Sequence, residues 1–391
     1  MTKASKYHSV TILLLLTMLL LVTGCGLGNQ TSPHEASGTP AATQSPKPST
    51  TPPKEQVMKV SLAAVGDVLI HSSIFKDAKT KDGYNFQPMF DPVKSFIEQA
   101  DIAMANQESM IGGEQLGLSD FPRFNGPYEV GDALKATGFD IVNLANNHTL
   151  DRGEAAITNT IQHFRKLGIA YTGAYLSVED QQEIRVMQKN GISFAFLSYT
   201  YGTNGLPVPK GKPYLVNLID IPTVTADITK ARKLAEVVVV NVHFGQEYVN
   251  MPNTSQKKFT QAAAEAGADI IIGHHPHVLQ PIEWITTSSG RKTFVAYSLG
   301  NFIAAQEGDL KRTGGIVQLE VQKTVRGNES QIQLINPSFI PTWIKMTNWR
   351  QYQIVPLWEA PANQLANAKA SYEKTKLHMS QWMPELQFPM K

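Results

Sequence analysis

Eight short apolar runs recur along the chain, at Val60 to Val65, Ile102 to Ala105, Ile141 to Ala145, Ile192 to Leu197, Val237 to Val242, Ile270 to Ile272, Thr293 to Tyr297 and Ile316 to Val321. A continuous apolar run suits a strand buried on both faces, which a chain achieves by covering a sheet with helices. Helical patterns lie between the runs, most clearly over Glu154 to Leu167 and Gln256 to Ala266. Asp151 and Glu154 have capping-box spacing, so Asp151 is expected to be the N-cap of the first, and Gly267 stops the second. Repeated βα units make an α/β fold with helices on the sheet faces the expected architecture. Toward the C-terminus the runs follow without intervening helices, which predicts antiparallel additions, and the polar segment 341–391 is expected to be a peripheral extension.

Five of these runs end in groups able to hold a cation. They deliver Gly66-Asp67, Asn106-Gln107-Glu108, Asn146-Asn147-His148, His243 and Gly273-His274-His275-Pro276-His277. The carboxyl ends of strands are where open α/β sheets place their sites. Asp, Glu, Asn and neutral His form the ligand set of divalent ions, and a pair of ions a few ångströms apart would use about this many groups. The sharpest signal is His275-Pro276-His277: alternate residues of an extended segment point the same way, and a proline biases the residue before it toward that geometry. Taken alone, Asn147-His148 and Gly66-Asp67 read equally well as turn residues. His71 and His274 each sit beside a better candidate, and His163 falls inside a helix.

Composition narrows the function classes. Lys+Arg 35 against Asp+Glu 33 leaves a net charge of +2, which Lys3 and Lys6 supply, so the rest is balanced and no nucleic-acid partner is expected. Cys25 is the one cysteine, which excludes a disulfide framework and a cysteine-based zinc site. Two lysines precede an apolar run from Val10 to Val22 that spans only ~20 Å as a helix, short of the ~30 Å hydrocarbon core. Residues 1–24 therefore read as a signal peptide. Val22-Thr23-Gly24-Cys25 looks like a bacterial lipobox, so Cys25 is expected to be acylated and to anchor the protein on the extracytoplasmic face of the cell membrane. The alternative is a plain signal peptide with an incidental cysteine. Residues 25–57, Pro-, Ser- and Thr-rich without an aromatic side chain, are expected to be a disordered tether, and the folded body to span 58–340.

Taken with Asp151 and Gly153, His243-Phe244-Gly245-Gln246-Glu247-Tyr248, the run through Gln280, and Ser298-Leu299-Gly300-Asn301-Phe302, these motifs resemble the bacterial capsule-synthesis CapA family over roughly Met58 to Val321. Its members are linked to poly-gamma-glutamate production. That family in turn resembles the calcineurin-like metallophosphoesterases, so the implied fold is a four-layer metallophosphatase sandwich, two β-sheets flanked by helices, with two metals at the strand ends.

The resemblance implies Asp67 as a ligand of a first metal, Asn147, His243 and His275 around a second, and His277 returning to the first. His148 falls where the wider superfamily protonates a leaving group. Two departures stand out. The wider superfamily's opening Asp-x-His is Asp67-Val68-Leu69 here, so that histidine is missing unless His71 substitutes, and the bridging carboxylate falls to Glu108 in Asn106-Gln107-Glu108. His71, Asn106, Glu247, Tyr248 and Asn301 are expected to support the metals or meet the substrate. The expected cofactors are two divalent ions, Mn, Zn or Fe, and the expected partners are an anionic polymer or phosphoester and capsule-synthesis membrane proteins. Without a Gly-x-Ser-x-Gly or a Walker motif, neither a serine hydrolase nor an ATP-driven ligase is indicated. The readings are a membrane-anchored metal-dependent hydrolase and, alternatively, a non-catalytic polymer-binding or export accessory using the same metals.

Overall fold

Along the first strand, Gln56–Val68, the side chains of Val60, Leu62 and Ala64 join one apolar cluster, whereas Ala63 and Val65 join another. That alternation places the strand between two packed layers. The computed structural model describes residues 55–390; the expected signal peptide, Cys25 and nearly all of the tether lie outside the described residues. From edge to edge, the larger sheet orders Arg350–Pro356, Glu329–Thr347, Thr313–Arg326, Gln56–Val68, Ile102–Gln107, Ile141–Asn143 and Ala170–Thr172, with Asn301–Ile303 paired to the first strand. The second orders Leu279–Thr286, Lys292–Leu299, Ile270–His274, Val237–His243, Ile192–Thr200 and Arg185–Lys189.

The sheets face each other across a shared apolar layer that includes Leu62, Met104, Val317 and Phe339 from one and Phe194, Val239, Ile272 and Phe294 from the other. Helices Gln87–Glu98, Glu129–Thr137 and Gly153–Leu167 cover the outside of the larger sheet, and Ile221–Arg232 and Thr254–Ala266 cover the second. The result is the expected four-layer α/β sandwich. The larger sheet is parallel from Gln56–Val68 to its edge at Ala170–Thr172 and antiparallel over its other half, the expected C-terminal additions Thr313–Arg326, Glu329–Thr347 and Arg350–Pro356, whereas the second is parallel at its centre and antiparallel at both edges. Among the described residues no helix is long and apolar enough to cross a membrane.

Two expectations are corrected. The boundary at 340 falls inside Glu329–Thr347, and the segment 341–391 is no peripheral extension: Trp343 and Ile354 are buried, and Met379, Met383 and Leu386 join the layer between the sheets. Its helix, Ala368–Met379, buries only Tyr372 and Met379, so its sequence shows little of that attachment. Asp151 is not a cap either. The helix Gly153–Leu167 follows Arg152 with no side-chain cap, whereas Thr254–Ala266 is closed by a capping box of Asn253 and Gln256 and ends at Gly267.

Candidate metal centre

Parallel pairing sets the candidate groups side by side. Asp67 is in register with Asn106 and with Asn301, Asn106 with Asn143, and His243 with His274. Gly300, where the chain passes from Lys292–Leu299 to Asn301–Ile303, comes so close that a Cβ on Gly66 would lie 1.9 Å from its carbonyl oxygen, so only glycine fits beside Asp67. Ligands from both sheets thereby converge on one spot.

Two groups of side chains share a residue there. Asp67, Glu108 and His277 form one, and Glu108, His243 and His275 the other, each with its ligand atoms within 4.8 Å of one another. Glu108 Oε1 lies 3.5 Å from His243 Nε2 and 3.7 Å from His277 Nε2, and Asp67 Oδ2 lies 3.2 Å from His277 Nδ1. Asn147 Oδ1 is 2.8 Å from His243 Nε2, which places the expected amide beside the second group. All are buried. A third grouping, Glu247 with His275 and His277, adds an exposed carboxylate at the mouth.

Whether divalent ions fit is decided by Glu108. Both its carboxylate oxygens are buried with no hydrogen-bond partner, and Nδ1 of His275 is likewise unpartnered. A buried anion without a partner is costly, so such a group suits a cation beside it, and a carboxylate facing two nests of imidazole and carboxylate suits two. Burial raises the Glu108 carboxyl well above its usual range, while for Asp67 burial is outweighed by His274 and His277, which hold it well below. Burial pushes His275 down to about 3 and, with the neighbouring His275 imidazole, moves His243 well down too, which favours the neutral, ligating form of each. His277, despite burial, is raised to about 9 by Glu108 and Asp67. These residues fit a pair of divalent ions.

An asparagine ladder braces the site. Asn143 Nδ2 donates to Asn106 Oδ1 at 2.8 Å, and Asn106 Nδ2 donates to Asp67 Oδ1 at 2.7 Å while lying 3.4 Å from His243 Nδ1. Asn301 Oδ1 lies 2.9 Å from His277 Nδ1. Asn146 shapes the turn that presents the next two residues, accepting from the His148 backbone N–H at 3.0 Å and donating to the Gln107 carbonyl at 2.9 Å. His148 Nδ1 sits 2.7 Å from Asp151 Oδ2, which also accepts from the Phe124 N–H at 2.8 Å. Asp151 therefore orients an imidazole, the role that its capping-box spacing concealed.

Other placements differ from the sequence reading. His275 and His277 do not lie on an extended segment: their φ angles are +97° and +56°, left-handed values that non-glycine residues rarely adopt, and strain of this kind concentrates at functional sites. His71 does not substitute for the missing histidine. Its Nδ1 accepts from the Ala305 N–H at 3.2 Å, its ring meets Phe124 edge-on, and it belongs to neither nest. Tyr248 stands 6.1 Å from His277, ring to ring. Residues that sequence reasoning missed are Tyr201, whose ring is 4.6 Å from His275, and Asn204, which accepts from Asn147 Nδ2 at 3.2 Å. Neither carries a motif signal; both arrive on the loop after Ile192–Thr200.

Residues 61–306 match the family described as bacterial capsule synthesis protein PGA_cap. The chain is 35% identical over 305 residues to the PGA biosynthesis protein CapA of Bacillus subtilis, covering 76% of this chain and 77% of that protein. It is 29% identical over 275 residues to the capsule biosynthesis protein CapA of Bacillus anthracis, covering 68% and 64% respectively. Among solved structures, the sulfate thiohydrolase SoxB of Thermus thermophilus aligns with a TM-score of 0.38 at 15% identity, over 73% of this chain and 44% of that one. The family match and the Bacillus subtilis relative settle the assignment: this chain belongs to the bacterial capsule synthesis protein family PGA_cap.

Proposed function

We propose that this chain is a metal-dependent hydrolase that acts in capsule or poly-gamma-glutamate synthesis, export or processing, held through Cys25 on the outer face of the cell membrane. The observation that carries the reading is Glu108, a buried carboxylate without a hydrogen-bond partner, common to two nests of ligands. Asp67, Glu108 and His277 would hold one divalent ion, and Glu108, His243, His275 and Asn147 the other. Ions so held lower the pKa of water and polarise an electrophile. The protein's own part is to orient and to move protons. Asp151 accepts from His148 Nδ1, which leaves Nε2 free to give a proton to a leaving group. Capsule and poly-gamma-glutamate biosynthesis enter from the names of the two Bacillus relatives.

One observation favours a second reading, a polymer-binding accessory without catalysis. Leu69 stands where the wider superfamily has a histidine and His71 Nδ1 takes the Ala305 N–H, so beside Asp67 the imidazoles are His277 and His274, at 3.2 and 3.5 Å, and the superfamily's own histidine is not among them. The test is hydrolysis by the purified, manganese-loaded protein of a phosphodiester and of poly-gamma-glutamate. Metal-dependent turnover of either is expected. A protein that loads metal and cleaves neither is an accessory.

A further inference from the structure

Glu247 is the one exposed member of the three groups of ligands, and it bears on what the site accepts. Its loop follows the strand Val237–His243 and is pinned to the site: the Tyr248 N–H donates to the Pro276 carbonyl at 2.8 Å, and Gln280 Nε2 donates to the Val249 carbonyl at 2.7 Å. Gly245, at φ +105°, lies against Gln256, which in turn donates to Gln280 at 2.7 Å. The pinned loop brings the carboxylate over His275 and His277, one imidazole from each nest.

We infer that Glu247 sets the charge of the substrate, admitting an electrophile with at most one negative charge, as in an internal phosphodiester or amide linkage, and disfavouring a terminal phosphate monoester. The inference rests on the hydrolase site proposed above and deepens it. Two divalent ions with the carboxylates of Asp67 and Glu108 alone would leave two positive charges for a dianion to neutralise. Glu247 removes one of them. A dianionic monoester would then meet a site with a single positive charge and a carboxylate at its mouth, and like charges placed together in a partly desolvated site are strongly disfavoured. The half-exposed rings at the mouth, Tyr201 and Tyr248, are both pushed up to about 12, first by burial and then by the negative charge of Glu247. Lys311 has its ammonium 4.9 Å from the centre of the Tyr248 ring.

The test is binding, read by calorimetry on manganese-loaded wild-type protein and Glu247→Gln. The probes are phenyl phosphate at a pH where it is a dianion and bis(4-nitrophenyl) phosphate as the monoanion. Wild type should prefer the monoanion, and Glu247→Gln should gain about tenfold or more for the dianion while the monoanion changes by less than about threefold. A wild-type preference for the dianion, or an equal change for both probes, would overturn the inference. So would loss of manganese from Glu247→Gln, since Glu247 would then be a ligand and not a selector. Hydrolysis is scored separately: a protein that discriminates the probes through Glu247 yet cleaves neither the diester nor poly-gamma-glutamate refutes the hydrolase reading and leaves the charge selection standing.

Discussion

Replacing Glu108 by glutamine keeps the shape of a fully buried side chain and removes the charge that both nests share. In chelated protein the change should be small, within about 1 kcal/mol, because burial already favours the neutral form of Glu108 there and glutamine keeps its shape. In loaded protein it should be large. At a hundredfold excess over Kd each ion stabilises the native state by about 2.7 kcal/mol, so two contribute roughly 5 kcal/mol. Unfolding entropy of ~2.1 cal/mol/K per residue converts this, for a body spanning residues 55–390, into a rise in Tm of about 7 °C. If the shared charge is lost and both affinities fall about a hundredfold, the same metal concentration should move the variant by only ~1 °C. Thermal scans with and without manganese, with metal content measured after desalting, give the comparison. A variant shifted as far as wild type would refute a role for Glu108 in holding metal, and one shifted by half as much would show that it serves a single ion.

His148→Asn should leave Tm and metal content unchanged while lowering hydrolysis about a hundredfold or more, and Asp151→Asn should lower it in the same direction by misorienting that imidazole; steady-state rates beside melting curves check both. Retained turnover in His148→Asn would move the catalytic role elsewhere. Metal loading at neutral pH should release protons, since His277 is raised to about 9 and Glu108 lies well above its usual range. Calorimetry in buffers of different ionisation enthalpy would count them, and affinity should tighten as pH rises toward 9. The same shift has the opposite sign for chelated protein: stability from protonated His277 is fully present below 6.5 and lost as pH climbs through about 9, which urea titrations at both ends would detect. Cys25→Ser should abolish fatty-acid labelling in cells, and a variant that still labels would exclude Cys25 as the acylation site.

Much of this architecture was legible because its strands are buried on both faces. Runs such as Val237 to Val242 carry no polar alternation to obscure them, and the group just past each run is delivered to the site by parallel pairing. What the chain did not announce depends on contacts between distant segments. Asp151 stands three residues before Glu154, a spacing that reads as a helix start, and only the fold reveals His148 on its other side. The geometry of His275 was hidden because local preference before proline favours extension, and nothing in the residue types at 275 and 277 announces the left-handed backbone that both adopt. His71 looked available because it is near Asp67 in sequence, yet the chain turns after Ile70 and points its imidazole at Ala305. Met379 and Met383 were lost among polar neighbours, since a short helix with few buried positions has almost no pattern to read.

The account turns on one carboxylate shared by two ions, and electron paramagnetic resonance of the manganese-loaded protein addresses that most directly. Two Mn2+ ions bridged by Glu108 should give an exchange-coupled spectrum at two metals per chain, and Glu108→Gln should abolish the coupling. Wild-type protein that binds a single manganese, or two with the spectrum of isolated ions, would contradict the shared centre.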